Sequence, residues 1–347
     1  MATQRLNDDM IKAILGKGKP DADLSVSLDE VDSFGNMDSV KEMFVDIGKY
    51  DQMLRERMVF INTALTAAIP FTRENLYLIC AYTGNGKSTV AANISYPLWK
   101  QGKKILVLSN EEGKQDVLFR IGCLELGLNF NDYKKGLMSA EQKKQVMVLF
   151  PEIGKCVKVL DIGFKGGLTT KLEGIKNALE AVRNQDYSCA MIDYYQLIQY
   201  SVEDKTRSRY DVLNDLRIWF GQYIKTSNIP IVVFAQLHSI GKRNNKDLDS
   251  RVKECPAILE PSTVVLEVIP NFDDSTSEFV LHKDRFGLAG HRIMCGFEKG
   301  RYINLNEDHK RRLAEKKLDE LQLITGEDED DEQEMPDLPK DVGQEQK

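Results

Sequence analysis

The segment LICAYTGNGKST, residues 78–89, constrains this chain more than any other. An apolar run leads into a short glycine-bearing turn, and a stretch of helical character, STVAANISYPLWK, follows. The usual phosphate-binding loop reads Gly-x-x-x-x-Gly-Lys-Ser/Thr and joins a strand to a helix. Here Ala81 stands at the first glycine, and Tyr82, Thr83, Gly84, Asn85, Gly86, Lys87 and Ser88 follow. Alanine is the least disruptive replacement where a glycine only has to be small. Gly84 and Gly86 permit the tight turn, and backbone N–H groups there can face phosphate oxygens at the start of a helix. Lys87 can reach the β- and γ-phosphates, and the Ser88 hydroxyl can ligate Mg²⁺. The candidate nucleotide-binding set is Ala81, Thr83, Gly84, Asn85, Gly86, Lys87, Ser88 and Thr89. The bland alternative, a surface turn with a lysine, does not explain the strand before it and the helix after it.

A loop of this kind commits the chain to an α/β fold, and the rest of the sequence agrees. Apolar runs LYLICA (76–81), KILVLS (104–109), CVKVLD (156–161), CAMID (189–193), IPIVVFA (229–235), TVVLEVI (263–269), EFVLHKD (278–284) and HRIMCGF (291–297) alternate with helical stretches. Continuous short apolar runs separated by helices predict a mostly parallel sheet covered on both faces, with an antiparallel pair near the end. Two strand ends supply carboxylates. CAMID closes on Asp193, placed where open α/β sheets bind ligands, and it can hold Mg²⁺. KILVLS is followed by Asn110, Glu111 and Glu112, either of whose carboxylates could orient an attacking water.

The flanks differ in kind. Residues 1–37 form a polar extension with a short helix expected at 7–15. From Asp38 to about residue 65, Val40, Met43, Phe44, Ile47 and Leu54 recur at helical spacing, as in a linker helix that packs on its own domain or docks on a neighbouring subunit. The ATPase-like core spans 66–305. Residues 306–325 hold a charged terminal helix, and 326–347 an acidic tail whose composition predicts disorder. That tail has ten acids against two lysines from Glu327 on, more than the whole chain's net charge of −7. The body is therefore near neutral, and its basic loops keep nucleic acid among the partners. The six cysteines form no Cys-x-x-Cys pair and read as reduced core residues. The four histidines lack metal-ligand spacing. No signal peptide and no apolar run of membrane length is present, so a cytoplasmic location is expected.

Five motifs in order resemble the DnaB-type replicative DNA helicases, which carry a RecA-like hexameric ATPase domain. ICAYTGNGKSTVAANIS is similar to that family's P-loop, which often has alanine where Ala81 stands. VLSNEEGKQDVLFR resembles its second motif and implies Glu111 as the water-orienting base, with Arg120 at the nucleotide. MIDYYQL is similar to the stretch around its magnesium aspartate, here Asp193. VVFAQL resembles the strand whose glutamine, here Gln236, senses the γ-phosphate. LHKDRFG looks like the motif whose lysine and arginine, here Lys283 and Arg285, reach the neighbour's nucleotide. Departures are Ser239 where an arginine is frequent and Phe286 in place of an asparagine. The 60 residues before the core leave no room for the family's large N-terminal helical collar, as in a compact, phage-type member, and the resemblance therefore gives no support for primase binding.

The resemblance implies an ATP- and Mg²⁺-dependent enzyme that forms a homo-oligomeric, hexameric ring, moves on single-stranded DNA and unwinds duplex. Two channel loops would hold the strand: the first with Lys205, Arg207, Arg209 and Tyr210, the second with Lys242, Arg243, Lys246, Arg251, Lys253 and Glu254. Such loops grip phosphates without reading sequence. The acidic tail could contact a polymerase or another replisome protein, or serve only as a solubilising tail. Two other readings share the core: a RecA-class recombinase or repair ATPase, and a ring ATPase that loads or regulates proteins without unwinding.

Overall fold

The computed structural model describes residues 58–69, 71–161, 170–183, 185–199, 208–227, 229–238 and 248–326, the side chains of Thr63, Arg209 and 317–326 excepted. The expected helices at 7–15 and from Asp38, the loop residues Lys205, Arg207, Lys242, Arg243 and Lys246, and the acidic tail lie outside the described residues.

A short helix, α1 (Thr63–Ala68), precedes β1 (Leu76–Ala81), α2 (Lys87–Lys100), β2 (Lys104–Ser109) and α3 (Lys114–Leu126). Three short helices, α4 (Phe130–Lys134), α5 (Ala140–Val148) and α6 (Phe150–Cys156), lead to β3 (Val157–Asp161). Then come α7 (Leu172–Arg183), β4 (Tyr187–Asp193), α8 (Arg209–Thr226) and β5 (Ile231–Gln236). The chain ends its sheet with β6 (Val264–Asn271), β7 (Thr276–Asp284), β8 (Arg292–Glu298) and β9 (Arg301–Ile303), and α9 (Glu307–Gly326) follows.

The nine strands form one sheet in the order β3-β2-β4-β5-β1-β6-β7-β8-β9. Pairing is parallel from β3 across to β6. All six residues of β1 are buried, because successive side chains enter opposite layers. Tyr77, Ile79 and Ala81 join the layer of α2 and α3 through Val90, Ile94, Leu98, Leu118 and Ile121. Leu76, Leu78 and Cys80 join the layer of α7 and α8 through Ile175, Leu179, Leu213, Leu216 and Phe220. A third, smaller cluster (Phe119, Cys123, Phe130, Met138 and Val146) seats α4 and α5 on α3. Burying a leucine or isoleucine of β1 contributes about 1.5–3 kcal/mol, which makes this strand a rigid mount for whatever follows it. Side-chain caps at Ser139 and Ser208 fix the starts of α5 and α8, each within a reciprocal capping box.

One expectation changes. In place of a single antiparallel pair, β6, β7, β8 and β9 form a continuous antiparallel meander. The β9 segment RYI is three residues long and carries too little pattern to be read as a strand. The turn at 299–300, with Lys299 and Gly300 both at positive φ, folds it back on β8.

Candidate active site

The exit of β1 places the 82–86 loop at the carboxyl edge of the parallel strands. Gly84 and Gly86 have φ of 79° and 87°, in the left-handed region that favours glycine. A Cβ at Gly84 would meet nothing within 4 Å, so the constraint there is conformational rather than one of space. The first turn of α2 has no side-chain cap and no acid, which leaves its N–H groups directed at the loop. The cleft in front of it has a volume of about 330 Å³, within the usual size of a small-ligand site.

Ser88 Oγ donates to Asp193 Oδ2 at 2.9 Å, joining the α2 start to the β4 end. The other Asp193 oxygen, Oδ1, is buried without a hydrogen-bond partner. Burial pushes the Asp193 carboxyl up to about 6, the Ser88 hydrogen bond draws it down, and the Glu112 and Glu111 charges add to the rise while Lys87 opposes it. Burial also lowers Lys87, with Asp193 and Glu111 holding it part of the way up. The Lys87 ammonium lies 5.3 Å from the Tyr194 ring centre. One hydroxyl and one orphaned carboxylate oxygen suit Mg²⁺, which takes its remaining ligands from phosphate and water. Among the described residues no cluster of three or more His, Cys, Asp or Glu offers a self-sufficient metal site.

Past β2, Ser109 Oγ donates to Glu112 O at 2.6 Å and accepts from Glu112 N at 3.2 Å, while Asn110 N donates to Asp193 O at 2.6 Å. This turn brings Glu111, Glu112 and Arg120 into the cleft. Glu112 is ion-paired to Arg120, whose guanidinium also stacks 3.9 Å from the Phe130 ring centre and reaches Thr89 Oγ1 at 3.4 Å. Glu112 is thereby committed to Arg120, and Glu111 is the carboxylate left facing the space before Lys87. Gln236, the last residue of β5, donates from Nε2 to Thr83 Oγ1 in the loop.

The remaining wall was not read from the sequence. Tyr302, Phe297, Ser277, Pro270 and Phe272 from the meander line the same cleft. The Tyr302 hydroxyl stands 3.5 Å from where a Cβ on Gly86 would lie, and Phe272 is 72% exposed. These residues supply apolar and aromatic surface beside the phosphate loop. The chain brings them there from more than half its length away, and no local pattern marks them.

Lys283 and Arg285 do not line this cleft. Lys283 Nζ donates to the carbonyls of Leu259 and Glu260 at 2.8 and 2.9 Å, and Arg285 Nη2 to Glu260 O at 3.3 Å. Burial lowers the Lys283 ammonium, and the Arg285 charge beside it adds to this.

Of the second loop, Lys253 and Glu254 are described and partly buried, and Glu254 holds a positive φ of 68°. Arg251 departs from the sequence expectation. It makes a two-pronged ion pair with Glu267 at 2.6 and 2.7 Å, and its side chain is only 12% exposed. His282 Nε2 contacts the same carboxylate at 2.7 Å. A lone acid within the apolar strand TVVLEVI demands such partners, and Arg251 serves it rather than facing outward. Arg209 opens α8 and Tyr210 beside it is half exposed.

The family model described as "DnaB-like helicase C terminal domain" matches residues 65–301. Among solved structures, the chain is similar to one described as an ATPase domain, at 17% identity and a TM-score of 0.62 over 79% of this chain and 100% of that one. It is also similar to a DnaB-like replicative helicase solved with its primase interactions in view, at 18% identity and a TM-score of 0.61 over 79% of this chain and 68% of that one. No curated protein matches.

Proposed function

Because the chain belongs to the DnaB-like helicase C-terminal domain family, a family of ATP-hydrolysing P-loop helicases, we propose that it is a ring-forming motor that hydrolyses ATP to move along single-stranded DNA and unwind duplex. The single observation that carries this is the convergence of Lys87, Ser88, Asp193, Glu111 and Gln236 on one strand edge, with Lys283 and Arg285 outside that cleft. The α2 N-terminus and Lys87 hold the phosphates. Ser88 and Asp193 would hold Mg²⁺, which would supply positive charge against the phosphates. Glu111 orients the attacking water and accepts its proton. Arg120 braces Glu112 and Thr89 at the rim. Tyr302, Phe297 and Phe272 offer a platform for the nucleobase.

Lys283 and Arg285 act on the nucleotide of the next subunit, in a head-to-tail arrangement that closes as a ring, probed as a hexamer. Of the 38–65 region, Phe60, Ile61 and Leu65 are buried in this chain's own core, which favours packing on its own domain over docking on a neighbouring subunit. Gln236 couples the γ-phosphate to the loop carrying Lys242, Arg243, Lys246, Lys253 and Glu254, which holds the DNA backbone. Among the described residues no helix is long and apolar enough to cross a membrane. Replisome partners reached through the acidic tail belong to the same proposal.

The experiment is ATP hydrolysis at fixed low salt with and without single-stranded DNA. Stimulation of about tenfold or more, a coupling within the usual allosteric range, is the expected result. Hydrolysis indifferent to DNA would replace the motor with a ring that remodels proteins.

A further inference from the structure

We propose that Gln196 is a positioning residue that fastens the root of the 239–247 segment to the strand bearing Asp193, so that a change at the nucleotide is delivered to that root. Its effect on DNA rests on the function proposed above; its effect on the root does not.

β4 and β5 pair only through Ala190–Ile231, Met191–Val232 and Ile192–Val233. Beyond that register the β4 end carries Asp193 and the β5 end carries Gln236. The side-chain amide of Gln196 bridges the two. Its Oε1 accepts from Gln236 N at 3.0 Å, and its Nε2 donates to Gln236 O and to Lys253 O, each at 3.1 Å. A primary amide offers the donors and acceptor of a peptide unit. Here it acts as a missing rung between strands, at 2% exposure.

The root it holds is a short ladder. Leu237 pairs with Val252 in antiparallel sense, His238 N donates to Arg251 O at 2.8 Å, and Lys253 N donates to Gln236 O at 3.0 Å. Gln236 is therefore shared between two structures. Its side chain reaches Thr83 of the phosphate loop, and its main chain is a rung of the ladder. Gln196 adds the third tie, to the turn that follows Asp193. That turn is itself fixed, because the buried Tyr195 hydroxyl donates to Leu213 O. With Gln196 in place, the phosphate loop, the metal-side strand and the ladder form one mechanical unit. Without it, the ladder keeps β5 and the Arg251–Glu267 pair to β6 but loses its tie to the β4 end.

The fold tolerates the loss. Gln236 O keeps the Lys253 N donor, and Lys253 O keeps Cys255 N at 2.9 Å, so only Gln236 N is stranded. Gln196→Leu removes all three hydrogen bonds at similar volume. Gln196→Glu keeps an acceptor for Gln236 N and removes both donors.

The test uses the full chain and three readings: basal ATP hydrolysis, its stimulation by single-stranded DNA, and the rate of tryptic cleavage after Lys242, Arg243 and Lys246 with and without the imido analogue of ATP. The wild-type cleavage rate is expected to change with the analogue. In both variants that change is lost and DNA stimulation falls about tenfold, while basal hydrolysis stays within about twofold, a coupling effect of ordinary allosteric size. If the wild type ignores DNA but its cleavage follows the analogue, and both variants lose this, Gln196 keeps its role and the DNA motor falls. The proposal is overturned by variants that keep the wild-type nucleotide response, by basal turnover lost in step with coupling, or by a wild-type segment whose cleavage ignores nucleotide.

Discussion

Ser88, at the start of α2 over the parallel half of the sheet, is bonded to the Asp193 carboxylate; Lys283, in the antiparallel half, rests on main-chain carbonyls and lies outside the cleft of its own chain. The contrast runs through both halves. In β3-β2-β4-β5-β1 the polar groups hold one another across the strand ends: Ser88 on Asp193, Gln236 on Thr83, Arg120 on Glu112. In β6 to β9 the two basic groups of LHKDRFG are held by the carbonyls of residues 259 and 260, and what returns to the cleft is mainly apolar and aromatic surface, with no charged group. A site whose polar groups already satisfy one another is preorganised for a ligand in the same chain. Cations parked on neutral carbonyls keep their charge available for an anion that arrives from elsewhere.

The sharpest way to break this comparison is to disable one half at a time. Lys87→Ala and Arg285→Ala are each expected to lower ATP turnover by about 10³-fold or more, the scale of a lost phosphate clamp or arginine finger. Mixed in equal amounts, the two variants should regain measurable turnover, because some interfaces then pair an intact loop with an intact finger. No regain in a steady-state assay of the mixture would place both residues in one subunit's chemistry.

A smaller effect separates buried from exposed pairing within the meander. Arg251→Ala leaves Glu267 buried and stripped of its main partner, at a cost of about 3–5 kcal/mol. Arg292→Ala breaks an ion pair with Glu278 whose arginine side chain is 60% exposed, and should cost less than about 1 kcal/mol. Urea unfolding of both variants measures the gap; equal midpoints would mean that the Arg251 pair carries no special weight.

Next in size is the division of labour in the parallel half. Glu111→Gln is expected to reduce turnover about 10²-fold or more with nucleotide binding kept. Glu112→Gln should act more weakly, through a loosened Arg120. Single-turnover hydrolysis alongside nucleotide titration reads both, and the reverse ranking would reassign the base.

The two halves should also answer acid with opposite signs. Asp193 sits at about 6 against an ordinary 3.8, so its contribution to folding is fully present below about pH 4 and is lost as pH rises through 6. Burial pushes Glu267 up, but the hydrogen bonds of His282 and Arg251 outweigh it and hold the carboxyl at about 2. Its contribution is therefore present above its ordinary 4.5 and is lost as pH falls through 2. Between pH 8 and 5, thermal unfolding without nucleotide should show a gain that Asp193→Asn removes, while Mg²⁺-dependent hydrolysis declines as the carboxylate protonates. A gain that survives Asp193→Asn would assign it to another group.

Much of the parallel half was readable because its strands are buried on both faces, so LYLICA and IPIVVFA stand out as unbroken apolar runs between helices. The loop from Ala81 to Ser88 and the strand-end acid Asp193 stand out because phosphate chemistry fixes residue type and spacing together, whereas the residues alone left Glu111 and Glu112 open and only the family resemblance favoured Glu111. The meander was less so. Three residues of β9 carry no period, and Tyr302 reaches the cleft only through pairing set far along the chain. Arg251 was misjudged because it sits among loop cations. The clue lay in its partner: a single acid inside TVVLEVI needs a cation, and only the folded sheet shows which one.

β1 is flanked by strands that come late in the chain: Leu76 lies against Ile231 of β5, and Tyr77 against Val264 of β6. During synthesis the phosphate loop leaves the ribosome long before either neighbour exists. Its strand, six apolar residues with no local partner, must wait until three further strands have been made before β5 and then β6 flank it. Pairings this distant in sequence are slow to form and leave sticky edges exposed meanwhile. The nascent chain therefore cannot hold nucleotide as an early folding aid. On the proposed function, competence to bind nucleotide arrives late, once the chain has been made through Tyr302 of β9, which lines the same cleft, and the interval before it is when a chaperone has the most to do.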